Sequence, residues 1–303
     1  MSMQYDTVII GGGVAGFSAA MYAGRLKLKT LVLGEVRGGT LILTNDIRNW
    51  PGIKVTDGIT LAKQVEEHAM EYDVDFKMEK VVSLEIANSG YVVKTKKESF
   101  TTKTVILATG TEVRKLGVPG EKEFNGKGVH YCALCDGFFY KDKVIAVAGG
   151  SDSAAKESLL LTQWAKKVYI IYRKGNIRAE PFNLEAVKKN KKIEIINNTN
   201  IIEVLGDDKV SSVKLDKPYD GKDELPVDGI FVEIGHLPLS ELGKQVGLKL
   251  NKKNEIVINR NCETSMPGIF AAGDVVDDRF KQAIVGSAEG VIAAYSVYEY
   301  LRK

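Results

Sequence analysis

The sequence lacks any apolar run long enough to cross a membrane. Charged residues interrupt its hydrophobic segments, whereas a spanning helix needs about 20 predominantly apolar residues. The strand-like segment Tyr5 to Ile10 begins so early that a secretion signal, with its charged, apolar and cleavage regions, has no room before it. We therefore expect a cytoplasmic protein without an export signal or membrane association.

The sequence also lacks a concentrated charge of one sign. Its 42 Lys and Arg residues stand against 39 Asp and Glu residues, and the basic residues are scattered along the chain. A nucleic-acid-binding surface usually needs a dense basic stripe, so we expect no nucleic acid partner. Apolar residues make up 44% and charged residues 27% of the chain, as in ordinary folded proteins, and 303 residues fit about two domains.

Cysteine is scarce, with only three residues in the chain, but Cys132 and Cys135 form a C-x-x-C motif. In the cytoplasm such a pair is more often catalytic or metal-binding than a structural staple, and its geometry commonly lowers the pKa of one thiol. Zinc is the alternative, because these two cysteines, Cys262 and either His130 or His236 could supply four ligands. The absence of a second C-x-x-C motif favours the redox interpretation, and we expect no metal.

Asp136 directly follows the motif and precedes Gly137. An Asp-Gly pair is often no more than a turn. Beside a dithiol, however, its carboxyl group can donate and remove the protons that thiol exchange requires. Asp136 is therefore a candidate acid/base.

Two segments share one layout, namely an apolar strand, a glycine-rich turn, an amphipathic helix and a second apolar strand. They span residues 7–33 and 144–172, and the second helix is expected to reach about Ala165. Repetition in this order indicates parallel sheets, an α/β class with two Rossmann-like domains of three layers, and two dinucleotide sites. Between them, Val81 to Ile86 and Tyr91 to Thr95 predict an antiparallel meander.

The first turn matches G-x-G-x-x-G at Gly11, Gly13 and Gly16. These glycines permit the tight turn, the approach of a pyrophosphate and close packing of helix on strand. The anion would lie at the helix N-terminus, where free N–H groups favour it. Glu35 follows about 20 residues later, at the position where an acid holds a ribose hydroxyl.

The second turn departs from this pattern. Gly149 and Ala154 fill the outer positions, but Ser151 occupies the middle one, where a side chain crowds the pyrophosphate. No acid ends the next strand, and a basic segment takes its place: Arg173, Lys174 and Arg178. Positive charge there favours NADP over NAD, although a solvated basic loop is the alternative.

With these motifs the chain resembles the low-molecular-weight thioredoxin reductases over essentially its whole length. The matching segments, in chain order, are residues 8–16, 49–52, 108–110, 128–129 leading into 132–137, 234–236, 271–274 and 282–283. The resemblance implies a homodimer that reduces thioredoxin or a thioredoxin-like protein. It further implies an FAD-binding domain formed by residues 1–113 and 239–303, interrupted by a pyridine-nucleotide-binding domain, residues 114–238, that carries the C-x-x-C motif.

The resemblance also implies roles for individual residues. Cys135 would face the flavin, Cys132 would attack the partner, Asp136 would be the acid/base, and hinges would lie near residues 112–117 and 235–238. The implied FAD contacts are Gly11, Gly13, Ala15, Gly16, Glu35, Gly39, Thr40, Asn49, Val82, Gly110, Asp274, Lys281, Gln282, Ala283 and Ile284. The implied NADP contacts are Gly149, Ser151, Asp152, Ser153, Ala154, Arg173, Lys174 and Arg178.

Several residues differ from the pattern of those reductases. Thr40, Val14 and Lys281 replace a common Gln, Pro and Arg, which alters the expected FAD contacts. Ser151, Tyr172 and Lys174 replace Gly, His and Arg in the second nucleotide site. A flavin-linked disulfide reductase or dithiol oxidase with another donor therefore stays an alternative, as does a non-catalytic zinc or redox-sensing module.

Overall fold

The computed structural model describes residues 5–44 and 47–303, and the chain divides into two units. Unit 1 consists of Met1–Glu112 and Pro238–Lys303, and unit 2 of Val113–Leu237. Each unit is built on a sheet with parallel strands and flanking helices, which confirms the predicted α/β class with two Rossmann-like parts.

Within the described residues, the first part of unit 1 contains six strands and two α-helices before β7 (Thr111–Val113). The strands are β1 (Tyr5–Ile10), β2 (Thr30–Leu33), β3 (Val74–Lys77), β4 (Val81–Ala87), β5 (Gly90–Thr95) and β6 (Ser99–Leu107). The helices are α1 (Val14–Arg25) and α2 (Gly58–Met70), with a 3-10 helix at Gly39–Leu43. The sheet order is β3-β2-β1-β6-β5-β4, parallel up to β6 and antiparallel from β6 to β4, so the predicted meander is confirmed.

Strands β1 and β2 of this sheet are buried on both faces. Along β1, Val8 and Ile10 pack into one apolar cluster, whereas Ile9 packs into another, which α1 covers. Alternate strand residues point to opposite faces, and parallel strands covered on both sides have near-continuous apolar sequences. This explains the uninterrupted run of apolar residues that precedes the first glycine turn.

The boundaries of the inserted unit 2 fall within two short strands, β7 (Thr111–Val113) and β16 (His236–Pro238), which pair with each other. Its other strands are β8 (Val129–His130), β9 (Val144–Gly149), β10 (Lys167–Tyr172), β11 (Ile193–Asn197), β12 (Ile201–Gly206), β13 (Val210–Tyr219), β14 (Lys222–Pro226) and β15 (Gly229–Glu233). Its helices are α3 (Ala133–Asp136), α4 (Asp152–Leu161), α5 (Pro181–Lys189) and a 3-10 helix at Gly137–Tyr140. A parallel sheet of order β11-β10-β9-β15-β8 lies beside an antiparallel sheet of β12, β13 and β14.

Helix α4 ends at Leu161, so the prediction that it reaches about Ala165 was wrong. The Lys192 ammonium donates to the carbonyl oxygens of Thr162, at 2.8 Å, and Ala165, at 2.9 Å. A cation that satisfies carbonyls at this end stabilises an early termination of the helix. A sequence pattern carries no sign of this contact, because Lys192 lies 30 residues beyond Thr162.

The C-terminal part of unit 1 contains α6 (Glu241–Gln245), β17 (Ile269–Ala271) and α7 (Ala283–Tyr300). Strand β17 pairs in parallel with the C-terminal half of β6, and α7 packs against α1. The two helices approach closely, since a Cβ atom at Gly290 would lie 2.2 Å from the Ala15 carbonyl oxygen. The final stretch therefore packs on the first part of unit 1.

None of the helices in the described residues has the combination of length and apolar character that membrane crossing requires.

Candidate active site

The cysteines of the C-x-x-C motif are joined in a disulfide at the start of α3. Cys132 is the N-cap residue of this helix, and the Cα atoms of Cys132 and Cys135 lie 5.4 Å apart. The Cys135 N–H donates to the Cys132 sulfur at 3.1 Å. The two cysteines of the predicted pair are thus joined in a disulfide, and the alternative zinc set does not assemble within residues 5–44 and 47–303.

The third cysteine has a different environment. Cys262 is buried in the core of unit 1, and its thiol donates to the Glu289 carbonyl oxygen at 3.4 Å. Burial and the Glu289 charge raise the pKa of Cys262 to about 12. Because a thiol reacts as its thiolate, Cys262 is unreactive at neutral pH.

Asp136 lies at the end of α3 and is held by His130. The His130 Nδ1 atom is 3.0 Å from an Asp136 carboxylate oxygen, and His130 Nε2 is 2.7 Å from the Tyr140 hydroxyl. His130 is buried and stacks on Phe231 of β15, with ring centroids 5.3 Å apart. The sequence marked His130 only as a zinc ligand, because nothing in its pattern shows that the turn returns Asp136 and Tyr140 to this ring.

Two further carboxyl groups next to the dithiol helix escaped the sequence interpretation. Glu157 of α4 accepts the Ala133 N–H at 2.8 Å, and burial raises the pKa of Glu157. Glu233 ends β15 in register with Gly149, and burial followed by the Glu157 charge raises the pKa of Glu233 to about 8. An acid at the end of an otherwise apolar strand was the available signal for Glu233.

The second glycine turn lies at the start of α4, where Ser151 is the N-cap residue. The Ser151 hydroxyl accepts the Ala154 N–H at 3.3 Å, and Asp152 adds a negative charge to the first turn. Asp152 in turn accepts the Glu180 N–H and the Asn183 amide, both at 2.8 Å. One backbone N–H of the helix N-terminus is therefore already bonded to the Ser151 hydroxyl, which weakens the N-terminus as an anion-binding site.

The basic segment predicted for the second site surrounds the same turn. Arg178 donates its backbone N–H to the Gly150 carbonyl at 2.6 Å, and its Nε atom donates to the Tyr172 hydroxyl at 3.1 Å. The side chains of Arg173, Lys174 and Arg178 are exposed, and none of them forms an ion pair with an acid among the described residues. Ser153 is exposed at the start of α4.

The first glycine turn has no such self-capping. Gly13 is the N-cap residue of α1 without a side-chain hydrogen bond, and a Cβ atom there would meet nothing closer than Gly39 Cα at 3.9 Å. By contrast, a Cβ atom at Gly11 or Gly16 would lie 2.0 or 1.9 Å from a backbone oxygen. The outer glycines are thus required by packing, whereas the middle one leaves an open cradle with free N–H donors.

Other residues predicted for the first site gather at the same end of unit 1. Asp274 follows Gly273, whose added Cβ atom would lie 2.9 Å from the Ala15 Cβ atom. The Lys281 ammonium donates to the Asp274 carbonyl at 3.1 Å. Helix α7 starts nearby with Ala283 and Ile284 and has no side-chain cap, so a second open helix N-terminus lies beside that of α1.

Two more contacts complete this cradle. The Asn49 amide donates to the Gln282 side-chain oxygen at 2.8 Å, which joins residues 233 positions apart. Glu289 of α7 accepts the Gly273 N–H at 2.7 Å, and burial raises the pKa of Glu289 to about 7. Glu289 was missed in the sequence, although an acid within the small and apolar residues of α7 was a usable signal.

Some predicted FAD contacts have side chains that form no interaction with the cradle in the part of the chain that the structure describes. Glu35 is exposed and forms an ion pair with Lys80 at 2.9 Å. Thr40 lies exposed in the 3-10 helix, and Val82 of β4 is 40% exposed. Gly110 adopts a positive φ of 67° and accepts the Leu239 N–H, whereas Gly39 packs directly against Gly13.

Comparison with known proteins places this geometry among related chains. Residues 5–290 match the family model described as pyridine nucleotide-disulphide oxidoreductase. The chain is 40% identical to a thioredoxin reductase of Mycolicibacterium smegmatis over 303 residues, covering 98% of this chain and 96% of that protein. It is 37% identical to a thioredoxin reductase of Bacillus subtilis, covering 99% and 95%.

A solved structure gives the same result. The crystal structure of Lactococcus lactis thioredoxin reductase in its FR conformation superposes with a TM-score of 0.94 at 36% identity, covering 99% of both chains.

Proposed function

The chain belongs to the pyridine nucleotide-disulphide oxidoreductase family, and we propose that it is an FAD-dependent thioredoxin-disulfide reductase. In this function, electrons from NADPH reach the Cys132–Cys135 disulfide and then thioredoxin or a thioredoxin-like protein. The observation that carries the proposal is the formed disulfide at the start of α3, with the carboxylate of Asp136 one residue beyond it.

The cradle in unit 1 fits FAD. The uncapped N-terminus of α1 and the space over Gly13 suit a pyrophosphate, and the backbone groups from Gly273 to Asp274 lie beside it. The uncapped N-terminus of α7, beginning at Ala283, would stabilise negative charge on a reduced flavin. Bound FAD supplies the two-electron relay between a nicotinamide and a disulfide. The remaining FAD contacts implied by the resemblance are part of this proposal.

The turn in unit 2 fits NADPH mainly through its basic side chains and less through the N-terminus of α4. Arg173, Lys174 and Arg178 offer three exposed cations for a phosphate, and the contact with Tyr172 holds the Arg178 guanidinium in place. Gly149 keeps the backbone close, because an added Cβ atom would lie 2.2 Å from the Glu233 carbonyl oxygen. These features support a 2'-phosphate site despite the capped helix.

We propose that Cys132 attacks the disulfide of the protein substrate and that Cys135 then displaces the substrate. The carboxyl group of Asp136 moves the proton that each exchange needs. The roles of the two sulfurs rest on the resemblance of the motif. The same resemblance supports a homodimer in the cytoplasm, and hinges at residues 112–117 and 235–238, where Gly117 and Gly235 have positive φ angles and open space.

A different electron donor is the second candidate function. The Ser151 hydroxyl accepts a backbone N–H of the helix, and Asp152 places negative charge in its first turn. Both features oppose the binding of a dinucleotide phosphate. If NADPH fails to reduce the flavin while chemically reduced enzyme still reduces thioredoxin, this second function replaces the first.

The experiment that tests the proposal is a steady-state assay of thioredoxin reduction by the purified protein with NADPH. We expect bound flavin and full turnover in the wild type, loss of turnover in Cys132→Ser, and little change in Cys262→Ser as the matched control. Protein without flavin, or a Cys132→Ser variant that reduces thioredoxin normally, would contradict the proposal.

A further inference from the structure

One histidine beside the dithiol has a fixed set of partners that the proposed function does not use. The His130 ring lies between the Asp136 carboxylate, at 3.0 Å from Nδ1, and the Tyr140 hydroxyl, at 2.7 Å from Nε2. These two contacts engage both ring nitrogens. The side chain of His130 is 9% exposed, whereas that of Asp136 is 31% exposed, so the histidine lies behind the acid and away from solvent.

Packing fixes the ring and its hydroxyl partner. His130 stacks on Phe231 with an interplanar angle of 26°, and Tyr140 meets Phe231 edge-on at 5.5 Å. Tyr140 also lies over Gly229, where an added Cβ atom would be 2.6 Å from the hydroxyl oxygen. Both rings pack against β15, through Phe231 and Gly229, so the positions of the two hydrogen-bonding rings are fixed.

The direction of the hydrogen bonds follows from the two ends of the chain. The Asp136 carboxylate can only accept, so His130 Nδ1 carries the hydrogen between them. Burial raises the pKa of Tyr140 to about 12, so its hydroxyl keeps its proton and can donate to Nε2. A neutral imidazole that accepts at Nε2 carries its hydrogen at Nδ1. The Nδ1–H then donates to the Asp136 carboxylate. The chain Tyr140 to His130 to Asp136 is therefore a one-way series of donors that ends on the acid next to the disulfide.

We propose that His130, with its tautomer set by Asp136 and Tyr140 together, is a positioning residue that holds the Asp136 carboxylate in the orientation needed for proton transfer during thiol-disulfide exchange. This inference rests on the proposed function of the dithiol, which it deepens. In the exchange, the Cys132 thiol gives its proton to Asp136, and the thiolate attacks the substrate disulfide. A Cys132–sulfur bond forms, the substrate S–S bond breaks, and Asp136 returns the proton to the leaving sulfur. Cys135 then loses its proton and attacks Cys132, the Cys132–substrate S–S bond breaks, and the second substrate sulfur takes up the proton. The dithiol that starts this sequence is the reduced form that the proposed function supplies, so no other reactant is needed.

Two substitutions at one position separate positioning from packing. In His130→Asn the amide nitrogen lies near the Nδ1 position and still donates to Asp136. In His130→Gln the amide extends towards Tyr140, and the donor to Asp136 is lost. A role in packing alone predicts similar losses in both variants, whereas the positioning role predicts rescue by Asn and not by Gln.

Two small disulfides provide the readout on flavin-loaded enzyme that has been reduced with dithiothreitol and desalted, so that the electron donor plays no part. Hydroxyethyl disulfide releases a basic alkyl thiolate that needs a proton, whereas DTNB, an aromatic disulfide, releases a weakly basic thiolate that leaves without one. We expect His130→Gln to slow the alkyl exchange about tenfold and the DTNB exchange only about threefold, because with DTNB Asp136 still takes the Cys132 proton but need not protonate the leaving sulfur, and we expect His130→Asn to stay within about twofold of wild type in both. In an Asp136→Asn background, His130→Gln should add less than about a twofold change.

Tyr140→Phe tests the same chain of donors without altering the histidine. It keeps the ring packing on Phe231 but removes the hydroxyl partner of Nε2, so we expect about a threefold loss for the alkyl disulfide and a smaller loss for DTNB. Equal losses in His130→Asn and His130→Gln, equal losses with both disulfides, or a full further loss in the Asp136→Asn background would overturn the proposal. Failure of the proposed function would look different, because reduced wild-type enzyme would then exchange with small disulfides but not with thioredoxin.

Discussion

The two glycine turns have the same sequence layout but offer a phosphate different surroundings. At the first turn, Gly13 leaves the N-terminus of α1 uncapped and open. At the second, the Ser151 hydroxyl caps α4 and Asp152 adds negative charge, while Arg178 is fixed nearby. Binding at the first turn therefore relies on backbone donors and the helix dipole, and binding at the second relies on cationic side chains.

The largest expected effect comes from closing each turn in the same way. Gly16→Ala places a Cβ atom 1.9 Å from the Gly11 carbonyl oxygen, and Gly149→Ala places one 2.2 Å from that of Glu233. We expect Gly16→Ala to be purified with less than about a tenth of its flavin, because the backbone must shift. Gly149→Ala should keep its flavin and raise the KM for NADPH more than about tenfold. Flavin absorbance and NADPH kinetics measure the two effects, and flavin loss in both variants would contradict separate sites.

Removing Arg178 tests whether binding at the second turn relies on cationic side chains. Arg178→Ala should raise the KM for NADPH about 30-fold, equivalent to about 2 kcal/mol, since a charge-assisted hydrogen bond to a phosphate is lost. NADH lacks that phosphate and serves as the control, with an expected change of less than about twofold. Steady-state kinetics with both donors measures the effect, and equal losses for the two would assign Arg178 a structural role.

Buried acids at the two turns offer a comparison of stability. The pKa of Glu233 is raised to about 8 in unit 2, and that of Glu289 to about 7 in unit 1. Between its ordinary range and the raised value, each group ionises only on unfolding, so the folded state loses stability as pH rises through that window. Glu233→Gln should therefore stabilise the protein by about 2 kcal/mol near pH 8 and by little near pH 4.5. Glu289→Gln should gain less, because its window is narrower.

Apparent melting temperatures across this pH range measure these differences. A Glu233→Gln variant with the same shift at every pH would show that the carboxyl group does not titrate in the folded state.

The smallest expected effect comes from making the second turn resemble the first. Ser151→Gly frees the Ala154 N–H and should lower the KM for NADPH about threefold, while the lost cap costs a few tenths of a kcal/mol. NADPH kinetics measure the change in KM, and the melting temperature measures the stability lost with the helix cap. An unchanged or higher KM would show that the capped helix already donates as much to the phosphate as an open one.

The sequence was sufficient for the architecture because apolar strands and glycine turns are local signals. The strands on either side of each glycine turn, the meander and the pairing of Cys132 with Cys135 followed from runs and spacings of a few residues, whereas β3 and β8 were not predicted. The role of Ser151 was predicted only in part. The sequence showed a side chain that crowds a phosphate, and the structure shows in addition that the Ser151 hydroxyl accepts a backbone N–H of the helix.

Contacts made through the tertiary fold were not predictable in this way. His130 meets Asp136 and Tyr140 because a tight helical turn reverses the chain after a strand of two residues, and no periodic pattern records that reversal. Asn49 and Gln282 are 233 residues apart, so their hydrogen bond depends on the docking of α7. Burial of Glu157 and Glu233 likewise depends on how α4 covers the sheet.

The most direct test of the account is anaerobic stopped-flow reduction of the bound flavin by NADPH, followed by mixing with oxidised thioredoxin. We predict that NADPH bleaches the flavin faster than NADH does, and that thioredoxin restores the oxidised flavin spectrum in the wild type but not in Cys132→Ser. A flavin that NADPH leaves oxidised, or one that thioredoxin reoxidises equally well in Cys132→Ser, would contradict the account.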